Sequence, residues 1–269
     1  MTPLLRKILA RLTREWTEVP LRRRFKQSFE TFAGLANGDR RFKFGWEDRY
    51  PCLYDSTPNA DYDRHYVLHT AWAARVLAQS RPSVHIDFSS SLYFVAIASA
   101  FVPIRFYDFR PATLPLSGVE AGTADLRRLP FGDGELPSVS CMHVIEHVGL
   151  GRYGDPLDPT GDLKAAAELS RVLAPGGQLL FVVPVGRARV MFNAHRIYSY
   201  ELVRDMFRGL QLHEFSLIPD TASEPELIAN APPAMVAQQA YACGCFWFRK
   251  QPPQQNLWAD SGSGRRPNV

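Results

Sequence analysis

The chain has 269 residues, 46% of them hydrophobic, and a formal net charge of +4. That length suits one α/β domain with extensions, and no run approaches the roughly 20 apolar residues of a membrane span. The charge is uneven: residues 1–50 hold twelve Lys and Arg against six acids, so the remainder sums to −2, which argues against a broad basic face and against nucleic acid as partner.

Residues 4–16 place Leu4, Leu5, Ile8, Leu9, Leu12 and Trp16 at helical spacing with Arg6, Lys7, Arg11 and Arg14 between them. This predicts a basic amphipathic helix, packed on the main domain or a second subunit, or resting on an anionic membrane surface. Arg22-Arg23-Arg24 and Lys26 would aid peripheral membrane contact through residues 1–26, and Pro20 is expected to separate that run from the first helix. Basic residues interrupt the N-terminal apolar run, so no signal peptide is expected, and free cysteines fit a cytoplasmic setting.

Residues 1–63 read as an N-terminal extension whose second half, 34–63, is a loop-rich connector. A domain is expected over 64–250 and a disordered tail over 251–269, rich in Pro, Gln, Gly and Ser. Within the domain, a helix over 64–79 is followed by strands at 84–88, 104–108, 138–145 and 178–183. Helices at 92–101, 161–173 and 199–208 alternate with them. Strands near 211–217 and 241–248 end the pattern as an antiparallel hairpin. Alternation of this kind predicts an α/β fold, doubly wound, with a mainly parallel sheet and helices on both faces.

In such sheets ligands lie beyond the carboxyl ends of the strands. The first strand ends at Asp87, followed by Phe88-Ser89-Ser90-Ser91, where small residues let backbone approach a ligand. The second ends at Asp108, a carboxylate placed to accept from two ribose hydroxyls. Asp125 and Leu126 come next and are placed to meet an adenine ring.

The stretch ADLRRLPFGDGELPSVSCMHVIEH, then ELSRVLAPGGQLLFVVP, resembles the type-11 group of class I S-adenosylmethionine (SAM)-dependent methyltransferases. HVIEHVGLGRYGDPLDPTGDLKA and FNAHRIYS resemble a bacterial branch filed as domain of unknown function number 268. The similarity runs from about residue 84 to 250. It implies a Rossmann-like, seven-stranded sheet, SAM as cofactor, His143 beside that cofactor, and an acceptor side beginning at Glu146 and His147. It suggests methyl transfer to a small-molecule or glycan acceptor, in surface-polysaccharide or related metabolism. One departure is the first loop: the family has Asp-x-Gly-x-Gly-x-Gly, and this chain has no glycine there. Ser at a positive-φ position costs about 1 kcal/mol or more. The departure leaves open a binding or scaffold protein that keeps the fold without catalysis. The absence of Gly-x-Gly-x-x-Gly counts against an NAD-linked oxidoreductase.

An oxygen acceptor must lose its proton, which suits a histidine: His147 and His195 are the candidates, with Glu146 beside them. Arg152, Tyr153, Asp155, Asn193 and Arg196 are candidates for holding the acceptor, Arg196 by bidentate contact with a carboxylate or phosphate. Asp155-Pro-Leu-Asp158-Pro is turn chemistry first, and Gly149, Gly151 and Gly154 would let the loop move as a lid. His143 and His147, four apart, share a face if helical, while Cys243-Gly-Cys245 is too close for a zinc knuckle. No metal site is expected. Oligomeric state is not specified by these features.

Overall fold

A computed structural model describes residues 3–36, 41–60, 62–110, 113–222 and 226–252, with the backbone alone for 3–17. The expected apolar face of residues 4–16 and the expected tail from residue 253 onward lie outside the described residues. The chain divides into two compact units, Met1–Tyr62 and Asp63–Val269.

In the first unit, helix α1 (Pro3–Leu35) runs straight through Pro20, so the expected break at that residue is absent. Proline removes one helical hydrogen bond, yet the helix continues past it. Leu21, Phe25, Phe29 and Ala33 are half-buried at four-residue spacing. Phe29 stacks on Phe44 at 4.7 Å and meets Trp46 edge-on at 4.8 Å. Trp46 opens a short 3-10 helix, Trp46–Asp48, in the otherwise irregular connector.

The second unit begins with α2 (Arg64–Ser80), capped by the Asp63 carboxylate accepting from the Tyr66 N–H and ended by Arg81 in the left-handed region. There follow β1 (His85–Phe88), α3 (Leu92–Ala98), β2 (Ile104–Asp108), β3 (Val119–Thr123) and β4 (Leu136–Met142). Next come α4 (Gly161–Val172), β5 (Leu173–Val185), a small hairpin of β6 (Arg189–Met191) and β7 (His195–Ile197), α5 (Tyr200–Met206), β8 (Gln211–Ile218) and β9 (Ala242–Arg249).

Seven strands form one sheet in the order β3-β2-β1-β4-β5-β9-β8. β1 to β5 pair in parallel, and β9 inserts antiparallel between β5 and β8. Alternate residues of β5 serve the two faces. Leu179, Phe181 and Val183 pack with α4 and α5 residues such as Leu169 and Val203, and Leu180 and Val182 pack with Trp72 of α2 and Phe94 of α3. This is the doubly wound α/β architecture, with helices on both faces of a mainly parallel sheet.

Three expectations change. β4 ends at Met142 rather than residue 145, because His143 turns the chain with φ +56°. Pro175-Gly176-Gly177 is a bulge inside β5 rather than a turn before it: Leu173 already pairs with Leu136, and pairing resumes at Gln178 with Ser138. A Cβ on Gly177 would come within 3.0 Å of the Pro137 carbonyl oxygen. The helix at 92–101 stops at Ala98. Among the described residues, no helix is long and apolar enough to cross a membrane.

Candidate functional site

The carboxyl ends of β1, β2 and β4 and the turn after β3 border an open cleft with a cavity volume of about 210 Å³. Ser89, Ser90, Ser91, Asp108, Asp125, Leu126, His143, His147, Tyr153 and Asp155 all line it. Elements far apart in sequence thus bring ten of the sequence-derived candidates to one surface. Tyr66, Phe109, Arg110 and Arg127 also line it and were missed. A signal for Tyr66 existed: His65, Tyr66 and His69 share one end of α2.

The glycine-free loop adopts glycine's conformation. Ser89 has φ +58°, the left-handed region where a Cβ is strained. Its N–H donates to the Tyr107 carbonyl at 2.8 Å. Ser90 is fixed differently: its N–H donates to Asp87 Oδ1 at 3.0 Å, and its hydroxyl oxygen accepts from the Met142 N–H at 3.2 Å. Asp87 therefore does not face the cleft. It is wholly buried beneath the loop, also bonded to the Ser140 hydroxyl, and burial raises its pKa to about 6. A polar chain continues from Ser140 to His85 (2.8 Å) and from His85 to Ser138 (2.8 Å), satisfying the buried groups that anchor β1 to β4. Expected as a cofactor contact, Asp87 is a positioning residue.

Asp108 is half-buried at the tip of β2, one oxygen accepting from the Arg110 N–H at 2.6 Å. Asp125 is paired bidentately with Arg127, at 3.1 and 2.8 Å. That pairing lowers the Asp125 pKa and keeps it an ionised acceptor with lone pairs to spare. Leu126, Ala124 and Phe109 add apolar wall.

At the far end lie His143 and His147. His147 is half-buried, and its Nδ1–H donates to the Ala194 carbonyl at 2.6 Å, which leaves Nε2 as the basic atom. Burial lowers its pKa. His143 Nδ1 bonds Glu146 Oε1 at 3.0 Å, and its Nε2 lies 3.4 Å from Cys243 Sγ. Glu146 is 1% exposed and does not line the cleft. Burial pushes its pKa up to about 7, and its neighbours are the imidazoles of His143 and His147.

Four other candidates fall outside the cleft. His195 sits behind His147, ring centroids 6.4 Å apart, against Tyr241 at 5.0 Å. Asn193 is exposed on the β6–β7 turn. Arg152 is exposed, and one guanidinium nitrogen donates to the Ala194 carbonyl at 3.0 Å. Arg196 is 6% exposed. It donates to the carbonyl of Val148 at 2.7 Å and of Pro159 at 3.3 Å, and faces Asp162 at 3.5 Å. A guanidinium so engaged has no fork left for a substrate anion, so the expected ligand role gives way to a structural one. The 149–158 loop is likewise tied down. Asp155 accepts from the Gly149 N–H at 2.7 Å, and a Cβ on Gly149 would lie 2.0 Å from the Asp158 carbonyl oxygen. Glycine there permits close approach rather than lid motion.

The family model described as "Caenorhabditis protein of unknown function, DUF268" matches residues 134–225, about a third of the chain. That description gives the expected bacterial placement no support. No curated protein matches. Among solved structures, the chain is similar to the N-methyltransferase NodS from Bradyrhizobium japonicum WM9, in complex with S-adenosylhomocysteine. The TM-score is 0.50 at 15% identity, over 74% of this chain and 91% of that one. It is also similar to 1,6-didemethyltoxoflavin-N1-methyltransferase from Burkholderia thailandensis, with TM-score 0.48 and 12% identity over 68% and 78%. A third is the YcgJ protein from Bacillus subtilis, with TM-score 0.47 and 14% identity over 69% and 99%. The chain has the Rossmann-like fold of the class I SAM-dependent methyltransferases.

Proposed function

We propose that this protein transfers a methyl group from SAM to a small-molecule or glycan acceptor. The observation that carries the reading is the convergence of Ser89, Asp108, Asp125 and His143 on one cleft at the carboxyl ends of the parallel strands. A half-buried carboxylate at the tip of β2 suits two ribose hydroxyls. An ionised Asp125 beside Leu126 suits an adenine amino group and ring. The left-handed Ser89 gives the first loop the backbone path that a glycine there would give, so these residues fit the cofactor. The S-adenosylhomocysteine held by NodS, a protein of similar fold, supports the same choice.

When bound, SAM supplies an electrophilic methyl group on a sulfonium sulfur. The chain's part is to hold an acceptor in line and take its proton. His147 lines the cleft, and its Nε2 is the basic atom suited to this. Glu146 Oε1, 3.8 Å from it, steadies the imidazolium that forms. Tyr153 stands edge-on to His147 at 5.6 Å with the Arg110 guanidinium 4.4 Å over its ring. These groups give an aromatic, cationic wall for a neutral or anionic acceptor.

Ligand-dependent melting tests the reading. S-adenosylhomocysteine at one hundred times its Kd is expected to stabilise the fold by about 2.7 kcal/mol, with no shift from NAD. A shift with NAD and none with either SAM or S-adenosylhomocysteine overturns it.

A further inference from the structure

Cys243 on β9, His143 after β4 and His65 on α2 each offer one ligand atom, and the three atoms lie within 4.8 Å of one another. Sequence spacing conceals this group. The pair it suggests, His143 with His147, is not the one the fold assembles. We propose that His65, His143 and Cys243 bind a single divalent cation of the zinc class, with one coordination position left for water or substrate.

Ligand chemistry selects the ion. One thiolate and two imidazoles suit Zn2+ and disfavour Mg2+ or Ca2+, which take oxygen ligands. Tetrahedral zinc with Zn–S of about 2.3 Å and Zn–N of about 2.0–2.1 Å places S and N about 3.5 Å apart. Cys243 Sγ and His143 Nε2 stand at 3.4 Å, already at that edge length. The His65 ligand atom, within 4.8 Å of the other two, has to close by about an ångström on the same geometry; His65 is half-buried in the first turn of α2.

The surroundings fit the same purpose. His143 Nδ1 bonds the buried Glu146 carboxylate at 3.0 Å. This carboxylate–imidazole pairing orients a metal-ligating histidine and fixes its other nitrogen toward the ion. Glu146 Oε2 and His69 Nε2, both buried beside His143, have no hydrogen-bond partner among the described residues. His143 holds φ +56°, a strained conformation for a non-glycine residue of the kind found at functional sites. Burial keeps His65 and His143 neutral, each with pKa about 4, which is the ligating form. Burial raises the Cys243 thiol, and coordination removes its proton outright. Three protein ligands with an open fourth position is the arrangement of catalytic rather than structural zinc. His143 also lines the cleft, which puts the site beside the acceptor end.

The test is metal binding by the purified, tag-free full chain after chelator treatment and dialysis. One equivalent of Zn2+ is expected to bind. Co2+ is expected at the same site, with a thiolate-to-cobalt charge-transfer band. Cys243→Ser abolishes that band and the exposed Cys52→Ser leaves it. Glu146→Gln weakens binding by about 10–100-fold with the band retained. No stoichiometric binding, or a band that survives Cys243→Ser, overturns the proposal. If Cys243→Ser does not fold by circular dichroism, His65→Ala decides. A loss of about tenfold or more supports the site, and unchanged affinity overturns it. Metal binding does not depend on methyl transfer, so a chain that fails here and still binds S-adenosylhomocysteine leaves that reading intact.

Discussion

His143 Nδ1 and Glu146 Oε1 hydrogen-bond at 3.0 Å with both side chains 5% exposed or less. The pair joins the end of β4 to the turn beyond it and fixes which imidazole nitrogen His143 presents. Its electrostatic consequence is measurable. Burial raises the Glu146 pKa from 4.5 to about 7, so the fold disfavours the ionised form. The sign follows from proton counting: between pH 4.5 and 7 the folded state holds a proton that the unfolded state has lost, so this residue's contribution to stability falls as pH rises. Glu146→Gln removes that fall. In chelator-treated protein, urea unfolding of the variant is expected to gain on the parent chain between pH 5 and pH 7.5, by up to about 3 kcal/mol. An equal difference at both pH values contradicts it.

Arg196 tests the distinction between ligand contact and scaffold. It is buried against Asp162 and the carbonyl groups of the 148–159 loop. Arg196→Met leaves the Asp162 charge uncompensated, and removal of one partner from a buried pair costs about 3–5 kcal/mol. A large drop in the unfolding midpoint is expected. A variant of parental stability with weakened acceptor binding restores the ligand role.

Much of the sheet was legible because parallel strands buried on both faces read as apolar runs. β5 shows this over residues 179–183, and Asp108 marks the end of its own strand, β2. β3 escaped because it is an edge strand with exposed Glu120 and with Gly122, where a Cβ would meet the Tyr107 ring at 2.7 Å. The β6–β7 hairpin escaped because its strands have three residues each. At the site, the order of Asp108, Asp125 and His143 along the chain sufficed to place them at strand ends. The roles of Asp87, Glu146 and Arg196 did not follow, because burial of a charged group depends on partners distant in sequence. His65 was invisible for the same reason: its neighbours His143 and Tyr241 come from the turn after β4 and the approach to β9.

Ser89 tests the first loop. At φ +58°, Ser89→Gly relieves strain of about 1 kcal/mol and loses about as much to unfolded-chain entropy. Its stability is expected to change little. Ser89→Val places a β-branched side chain in the left-handed region, where about 1–3 kcal/mol is expected to be lost. Equal stabilities for the two variants in chemical denaturation contradict this conformation.

The two histidines separate by position. His147 lines the cleft and His195 does not. With an acceptor in hand, His147→Ala is expected to lower kcat by about 10²–10⁴-fold, with a much smaller change for His195→Ala. The reverse order in single-turnover rates contradicts the assignment of the base.

The central claim is that the cleft is a working SAM site despite its glycine-free loop. Calorimetric titration of the full chain with S-adenosylhomocysteine, repeated on Asp108→Ala, tests it most directly. The account predicts one site per chain for the parent protein and loss of binding in a variant that melts like the parent. No binding by the folded parent chain, or equal binding by Asp108→Ala, contradicts it.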